Sequence, residues 1–137
     1  MNNAHFTLAY WCLLVAAMLP IVCAGIAKSG TFSMPAREGG YDNHNPRAWL
    51  ARQSDWRARA NAAQANTFEA LPFFFVAVVV AHQLSSIQAR VDILCLLWVL
   101  LRALYIIMYL GDMAKARTGV WVAALVVNIT ILFIGYR

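Results

Sequence analysis

Four long apolar stretches dominate this sequence and decide what it can fold into. The first, Phe6 to Ala27, is twenty-two residues without a formal charge. About 20 apolar residues in a helix cross the roughly 30 Å hydrocarbon core of a bilayer. The four stretches predict transmembrane helices at about 6–27, 58–85, 93–113 and 118–136, with a long loop over 28–56. The predicted fold is an all-α, integral membrane four-helix bundle.

Composition supports a single membrane domain over residues 1–137. The chain is 62% hydrophobic and only 12% charged, which excludes an ordinary soluble domain of this length. A net charge of +5 raises nucleic acid as a partner, but the Lys and Arg residues cluster in loops, where lipid headgroups and topology account for them. We therefore expect lipid contact and no nucleic-acid binding. The three cysteines lie in apolar stretches without metal-ligand spacing, so no metal site is predicted.

Loop charges predict the orientation of the chain. The first and third loops hold Lys28, Arg37, Arg47, Arg52, Arg57, Arg59, Lys115 and Arg117. The second loop and the C-terminus hold Arg90 and Arg137. The positive-inside rule then places both termini outside and the long first loop in the cytoplasm. A cleaved signal peptide is the alternative for the first stretch, but its apolar core is too long and residues 1–5 carry no Lys or Arg.

The second apolar stretch carries polar side chains at helical spacing. Arg59, Ala62, Asn66 and Glu69 follow one another at intervals of three, four and three, which places them on one helix face. An ionisable group inside a bilayer segment costs about 2.5–3.5 kcal/mol on insertion scales, so it usually faces a protein interior or a wet cavity. Glu69 is therefore a candidate functional residue that needs a partner.

The third stretch supplies that partner. It repeats the same intervals in its polar residues, which are Arg102, Tyr105, Tyr109 and Asp112. If the two helices are antiparallel with Arg59 level with Asp112, Glu69 comes level with Arg102 at about 1.5 Å of rise per residue. This register predicts an ion pair between Glu69 and Arg102. The alternative is a polar cluster with only a structural role, which fixes one helix against the other.

Polar and aromatic residues elsewhere have simpler interpretations. In the fourth stretch, Asn128 and Thr130 are expected to form interhelical hydrogen bonds. In the long loop, Trp49 and Trp56 stand beside arginines, which predicts that part of the loop rests on the membrane interface. Each of these features is explained by structure alone.

The polar residues of the second and third stretches resemble motifs of the MAPEG family, the membrane-associated proteins of eicosanoid and glutathione metabolism. The family's second helix carries Arg-Ala-His/Gln-x-Asn-x-x-Glu, with proline three residues later. Here the segment is Ala62-Ala63-Gln64-Ala65-Asn66-Thr67-Phe68-Glu69, followed by Pro72. The third helix has Arg102-x-x-Tyr105-x-x-x-Tyr109 and then Arg117, which is similar to the family's arginine, paired tyrosines and distal arginine.

The resemblance implies a homotrimer that holds glutathione, as cosubstrate, between adjacent subunits, while a lipophilic substrate enters from the lipid. By the same resemblance Asn66 and Glu69 hold the γ-glutamyl end and Tyr105 and Tyr109 line the pocket. Arg117 is the implied catalytic residue beside the thiol. Arg59 is the candidate to replace the family arginine that is absent at position 62.

Two functions remain open from the sequence. The first is a glutathione-dependent transferase or peroxidase acting on lipophilic electrophiles or lipid hydroperoxides. The alternative is a non-catalytic membrane trimer that binds lipid or a protein partner through the same clefts. Ala62 favours the alternative, because it stands where the family has arginine and so removes a guanidinium from the face that would meet an anionic tripeptide.

Overall fold

The structure, a computed structural model, describes residues 6–136 as a set of helices without a strand in that range. The long helices are α1 (Leu8–Lys28), α3 (Asp55–Gln83), α4 (Gln88–Leu110) and α5 (Ala114–Phe133). The short ones are α2 (Pro46–Ala51) and a 3-10 turn at Ala36–Glu38. All four long helices are apolar and long enough to cross a membrane, which confirms the all-α membrane fold. Their ends lie within five residues of those predicted. Residues 1–5 and Arg137, which enter the predicted orientation, lie outside the described range.

Contacts at their ends make α1 and α3 antiparallel. At one end, Arg57 Nη1 donates hydrogen bonds to the backbone carbonyls of Ala27 at 3.0 Å and Ser29 at 2.8 Å. At the other end, the hydroxyl of Thr7, the N-cap of α1, lies 3.3 Å from His82 Nε2. Arg57 satisfies carbonyls that the C-terminal end of α1 leaves without partners, and the Thr7–His82 contact joins two side chains. The long loop therefore closes a hairpin of two membrane helices.

The remaining helices continue an up-and-down order. Asp92 Oδ1 of α4 accepts a hydrogen bond from the backbone N–H of Ala9 at 2.8 Å, which brings the first turns of α1 and α4 to the same end. A Cβ at Gly135 would lie 2.6 Å from that of Leu84, so the chain leaving α5 abuts the chain leaving α3. Both α1 and α5 pack against α3 and α4, from opposite sides. The pair α3 and α4 forms the centre of the bundle.

Small residues make up much of the buried surface of α1 and α3. Those without exposed surface are Ala9, Ala16, Ala27, Ala60, Ala63, Ala77 and Ala81. Between α3 and α4 the contact is aromatic instead, since Phe74 stacks on Trp98 with ring centroids 3.8 Å apart and planes 5° apart. Membrane helices associate through such packing because lipid supplies no hydrophobic driving force. α3 thus packs against α1, α4 and α5.

The loop of residues 29–54 folds over the end of the bundle around Trp49. This residue is 3% exposed, and its indole N–H donates to the Gly39 carbonyl at 3.3 Å. The Tyr41 ring meets Trp49 edge-on and carries the Lys28 ammonium 4.5 Å from its centroid. Nearby, the His44 backbone N–H donates to Asp42 at 2.9 Å and lowers the pKa of that carboxyl below its ordinary value. Trp49 is therefore the internal anchor of the loop and not an interfacial residue.

We expect Asp92→Ala to destabilise the protein by about 1–2 kcal/mol, because the carboxylate holds both the Ala9 N–H and the Gln88 side chain at 2.8 Å. Thermal or chemical unfolding in detergent measures the change. Glu38→Ala is the control, since the Glu38 carboxylate is exposed and lies 3.7 Å from the exposed Arg37 side chain in a surface ion pair. Its effect should stay within about 0.5 kcal/mol. Equal losses in the two variants would contradict the capping role.

Candidate functional site

Arg102 is the centre of the polar cluster inside the bundle. Its position on the inner face of α4 leaves the residue 1% exposed. Nη2 donates hydrogen bonds of 3.0 Å to Asn66 Oδ1 and of 3.0 Å to Thr67 Oγ1, both on α3. The Thr67 hydroxyl donates in turn to the Ala63 carbonyl at 2.7 Å, which fixes its lone pairs toward the guanidinium. Two neutral acceptors thus hold a buried cation.

Arg102 forms these two hydrogen bonds in place of the ion pair between Glu69 and Arg102 that the sequence predicts. Within residues 6–136, the ion pair closer than 4.0 Å is that of Arg37 with Glu38 at the surface. The antiparallel orientation is as predicted, but Arg102 bonds to Asn66, three residues before Glu69. The guanidinium also lies 4.3 Å from the Tyr105 ring centroid, so the side chain extends toward the end of α4. Because the long Arg102 side chain points along α4, its partner on α3 lies nearly one helical turn away from the predicted partner.

Arg59 shows the same offset at the end of the helix pair. Its Nε donates to the Leu110 carbonyl at 3.1 Å, two residues before the Asp112 that was predicted to lie level with it. The bond satisfies a free carbonyl at the C-terminal end of α4. Arg59 therefore acts here as a helix cap and does not line the cavity described below.

A cation–aromatic ladder continues from Arg102 toward the loop end of the bundle. Tyr105 and Tyr109 meet edge-to-face, with centroids 5.7 Å apart and planes at 77°. Arg117, in the first turn of α5, places its guanidinium 4.0 Å from the Tyr109 ring centroid. The ladder therefore runs Arg102, Tyr105, Tyr109, Arg117 and has a cation at each end. Cations over aromatic faces in such geometry contribute about 0.5–2 kcal/mol each.

A cavity of about 190 Å³ opens where α3, α4 and α5 meet. Its lining residues are Asn66, Glu69, Ala70, Phe73, Trp98, Arg102, Trp121, Ala124, Leu125 and Asn128. Glu69 stands on the exposed rim of this cavity, whereas Arg102 and Asn128 are buried. Within the described residues, Arg102 Nε and Asn128 Oδ1 are buried without a hydrogen-bond partner. An unpaired donor and an unpaired acceptor thus belong to two residues that line one small space.

The predicted site residues fall into two groups joined by Arg102. Asn66 and Glu69 line the cavity, while Tyr105, Tyr109 and Arg117 form the ladder outside it. Tyr105 is 4% exposed and packs with Cys23 and Ala63. The structure therefore assembles most of the predicted residues around one cation, but not in one enclosed pocket.

Two polar positions of the cluster and the cavity were missed or misassigned from the sequence. Thr67 was not a candidate, although it sits four residues after Ala63, at the spacing of a hydroxyl that bonds back to its own helix. Asn128 was expected to bond to another helix, yet its side-chain oxygen is buried without a partner, and the residue lines the cavity. Thr130 instead donates to Val126 of its own helix at 2.8 Å, so its predicted interhelical bond is not formed.

The fold and the cluster define a four-helix integral membrane protein with a polar cleft inside the bundle. A sequence model of the MAPEG family matches residues 8–136. The chain belongs to the MAPEG family, whose members are membrane proteins of eicosanoid and glutathione metabolism. No match was found among curated proteins or among solved structures.

A double-mutant cycle tests the Arg102 cluster. We expect Thr67→Val and Arg102→Met each to destabilise the protein. Their coupling energy should lie between about 0.6 and 1.7 kcal/mol, the average and the maximum for interhelical hydrogen bonds in membranes. Unfolding in detergent measures each corner of the cycle.

The matched control combines Arg102→Met with Thr118→Val, because Thr118 is exposed and bonds to its own helix at Ala114. That pair should be additive within about 0.5 kcal/mol. A third cycle with Glu69→Gln examines the ion pair predicted from the sequence. Coupling of Arg102 to Glu69 that exceeds its coupling to Thr67 would contradict the partners described above.

Proposed function

We propose that this protein is a glutathione-dependent transferase or peroxidase acting on lipophilic electrophiles or lipid hydroperoxides. The observation that carries the proposal is the buried guanidinium of Arg102, which has neutral partners only and borders a cavity. A cation held without a carboxylate in a low-dielectric site retains its attraction for an anion. Glutathione is anionic, and family membership makes it the first ligand to test.

The residues around the cavity are suited to both charges of the tripeptide. The free Nε–H of Arg102 is a donor for a carboxylate, and Asn66 already shares the same guanidinium. The Glu69 carboxylate on the rim suits the α-ammonium group of the γ-glutamyl residue. A guanidinium cation and a carboxylate at separate positions would fix the orientation of a zwitterionic end group.

Arg117 is proposed to act on the thiol. A guanidinium close to sulfur favours the thiolate, which is the nucleophile in conjugation and in peroxide reduction. In conjugation the sulfur forms a bond to the electrophilic carbon of the substrate as the leaving group departs with its electron pair. Stacking on Tyr109 at 4.0 Å holds Arg117 in position without neutralising its charge.

A trimer is proposed because one chain leaves the site incomplete. The cavity of about 190 Å³ is below the roughly 300–1,000 Å³ usual for small-molecule sites. Glu69 is also exposed on a helix of membrane-spanning length, where an uncovered carboxylate is unfavourable. A neighbouring subunit would cover the acid and enlarge the cleft. The mass of the detergent-solubilised particle, corrected for bound detergent, tests this directly.

The proposed orientation places the ladder end of the bundle in the cytoplasm. Arg59 and Arg117 lie at the same end as the long loop, and most basic loop residues are there. The positive-inside rule assigns this end to the cytoplasm and the termini to the outside. A soluble thiol cosubstrate would then reach the cleft from the compartment where such thiols are made.

Thermal unfolding at increasing glutathione concentration tests the proposal that the protein is a glutathione-dependent enzyme. Ligand that binds the native state stabilises it by about 2.7 kcal/mol at one hundred times Kd, so Tm should rise with concentration. Glu69→Gln should weaken binding about tenfold, because it removes one partner of a charged contact. The absence of a Tm shift at saturating millimolar glutathione would favour the non-catalytic trimer, which Ala62 also favours.

A gain of function supplies the converse experiment. Ala62→Arg restores the guanidinium of the family motif on a half-buried position of α3 and should tighten glutathione binding about tenfold. Ala89→Arg adds the same charge at the opposite end of the bundle, on an exposed position, and should leave affinity unchanged. Equal effects would indicate general electrostatic attraction and not a site.

A further inference from the structure

Asn128 carries a buried side-chain amide that hydrogen bonding within the bundle does not explain. It is 3% exposed on α5, and its Oδ1 finds no hydrogen-bond partner within residues 6–136. Two residues later, Thr130 satisfies its hydroxyl within its own helix. A buried acceptor without a donor is costly in a membrane helix, so an amide at this position is expected to have an external partner.

The cavity provides room for that partner, at a place separate from the Arg102 cluster. The contact of Gly135 with Leu84 brings the ends of α3 and α5 together. Asn128 precedes Gly135 by seven residues, whereas Asn66 precedes Leu84 by eighteen. Asn128 therefore lies farther from the basic loops than Asn66 does. The cavity has one charged end and one amide end.

Between these ends the lining is apolar. Phe73, Trp98, Trp121, Ala124 and Leu125 are the side chains there. On α5, the residues that follow the lining residues Trp121 and Leu125 are apolar and exposed, Val122 at 46% and Val126 at 56%. Such a passage suits a hydrocarbon chain that enters from the bilayer. The unpaired amide oxygen belongs to Asn128, a residue that lines this passage, and it suits a chain that carries a hydrogen-bond donor.

We infer that Asn128 is a specificity-determining residue that binds an O–H group on the hydrocarbon chain of a lipophilic ligand. Hydroxyl and hydroperoxyl groups donate a hydrogen bond to an amide oxygen, whereas ether, epoxide and halide groups cannot. The ligand class is therefore an acyl chain oxidised to an alcohol or a hydroperoxide. As an account of substrate choice, this inference rests on the proposed function, since it names the class of lipophilic substrate that would react in the same cleft. Binding of the chain does not itself require glutathione.

Matched ligands test the inference in the purified full-length protein. The probes are a long-chain fatty acid with a mid-chain hydroxyl, its methyl ether, and the unsubstituted acid. Trp98 and Trp121 line the cavity, so displacement of a brominated fatty acid that quenches tryptophan reports the affinity of each probe. The hydroxy acid should bind about three- to tenfold more tightly than its methyl ether, the difference expected for one hydrogen bond.

Asn128→Leu and Asn128→Ala should both abolish this preference while still binding the unsubstituted acid. Thr130→Val is the matched control, because Thr130 is exposed on the same helix, and it should retain the preference. Equal affinities in the wild type, as expected if only a water occupies the amide, or a preference that survives both Asn128 variants, would overturn the inference. Glutathione titration of the same samples separates the two proposals, since the Asn128 variants should keep any glutathione-induced rise in Tm.

Discussion

The burial of one guanidinium in a membrane bundle is the constraint on which the rest of this structure depends. Water cannot solvate Arg102, so α3 must supply its acceptors, and Asn66 and Thr67 do so at 3.0 Å each. Moving α4 along α3 by one turn would break both bonds at once. Apolar packing in lipid is weakly directional, whereas these bonds define one register. The cluster thus fixes the alignment of the two central helices.

That constraint places packing and polar contacts on one face of α3. Ala63 precedes Asn66 by three residues and Thr67 by four, so the three share a helix face. Ala77 continues this face, and Ala63 and Ala77 have no exposed surface. Asn66 also lines the cavity between α3, α4 and α5. Ala63 therefore joins packing to the polar cluster directly, since its carbonyl accepts the hydrogen bond of Thr67.

Sequence patterns predicted the parts of this molecule that depend on helix periodicity. Four apolar stretches identified the membrane helices, and intervals of three and four residues identified the faces that carry Asn66, Glu69 and Arg102. Partner choice was less predictable, because a flexible arginine reaches about one turn along the helix. The role of Asn128 was hidden for another reason. Asn128 lines a cavity that forms only where three helices meet, and the spacing of residues within one helix cannot predict such a cavity.

The replacement of an ion pair by neutral partners has a chemical consequence. Had Glu69 closed on Arg102, the two charges would have cancelled, and the cleft would offer little to an anion. Instead Arg102 and Arg117 are held at the two ends of a tyrosine ladder, where aromatic faces stabilise the cations and leave their charge intact. Glu69 remains free on the rim for a positively charged group. A cleft organised in this way keeps both signs of charge available, which a zwitterionic ligand with further anionic groups requires.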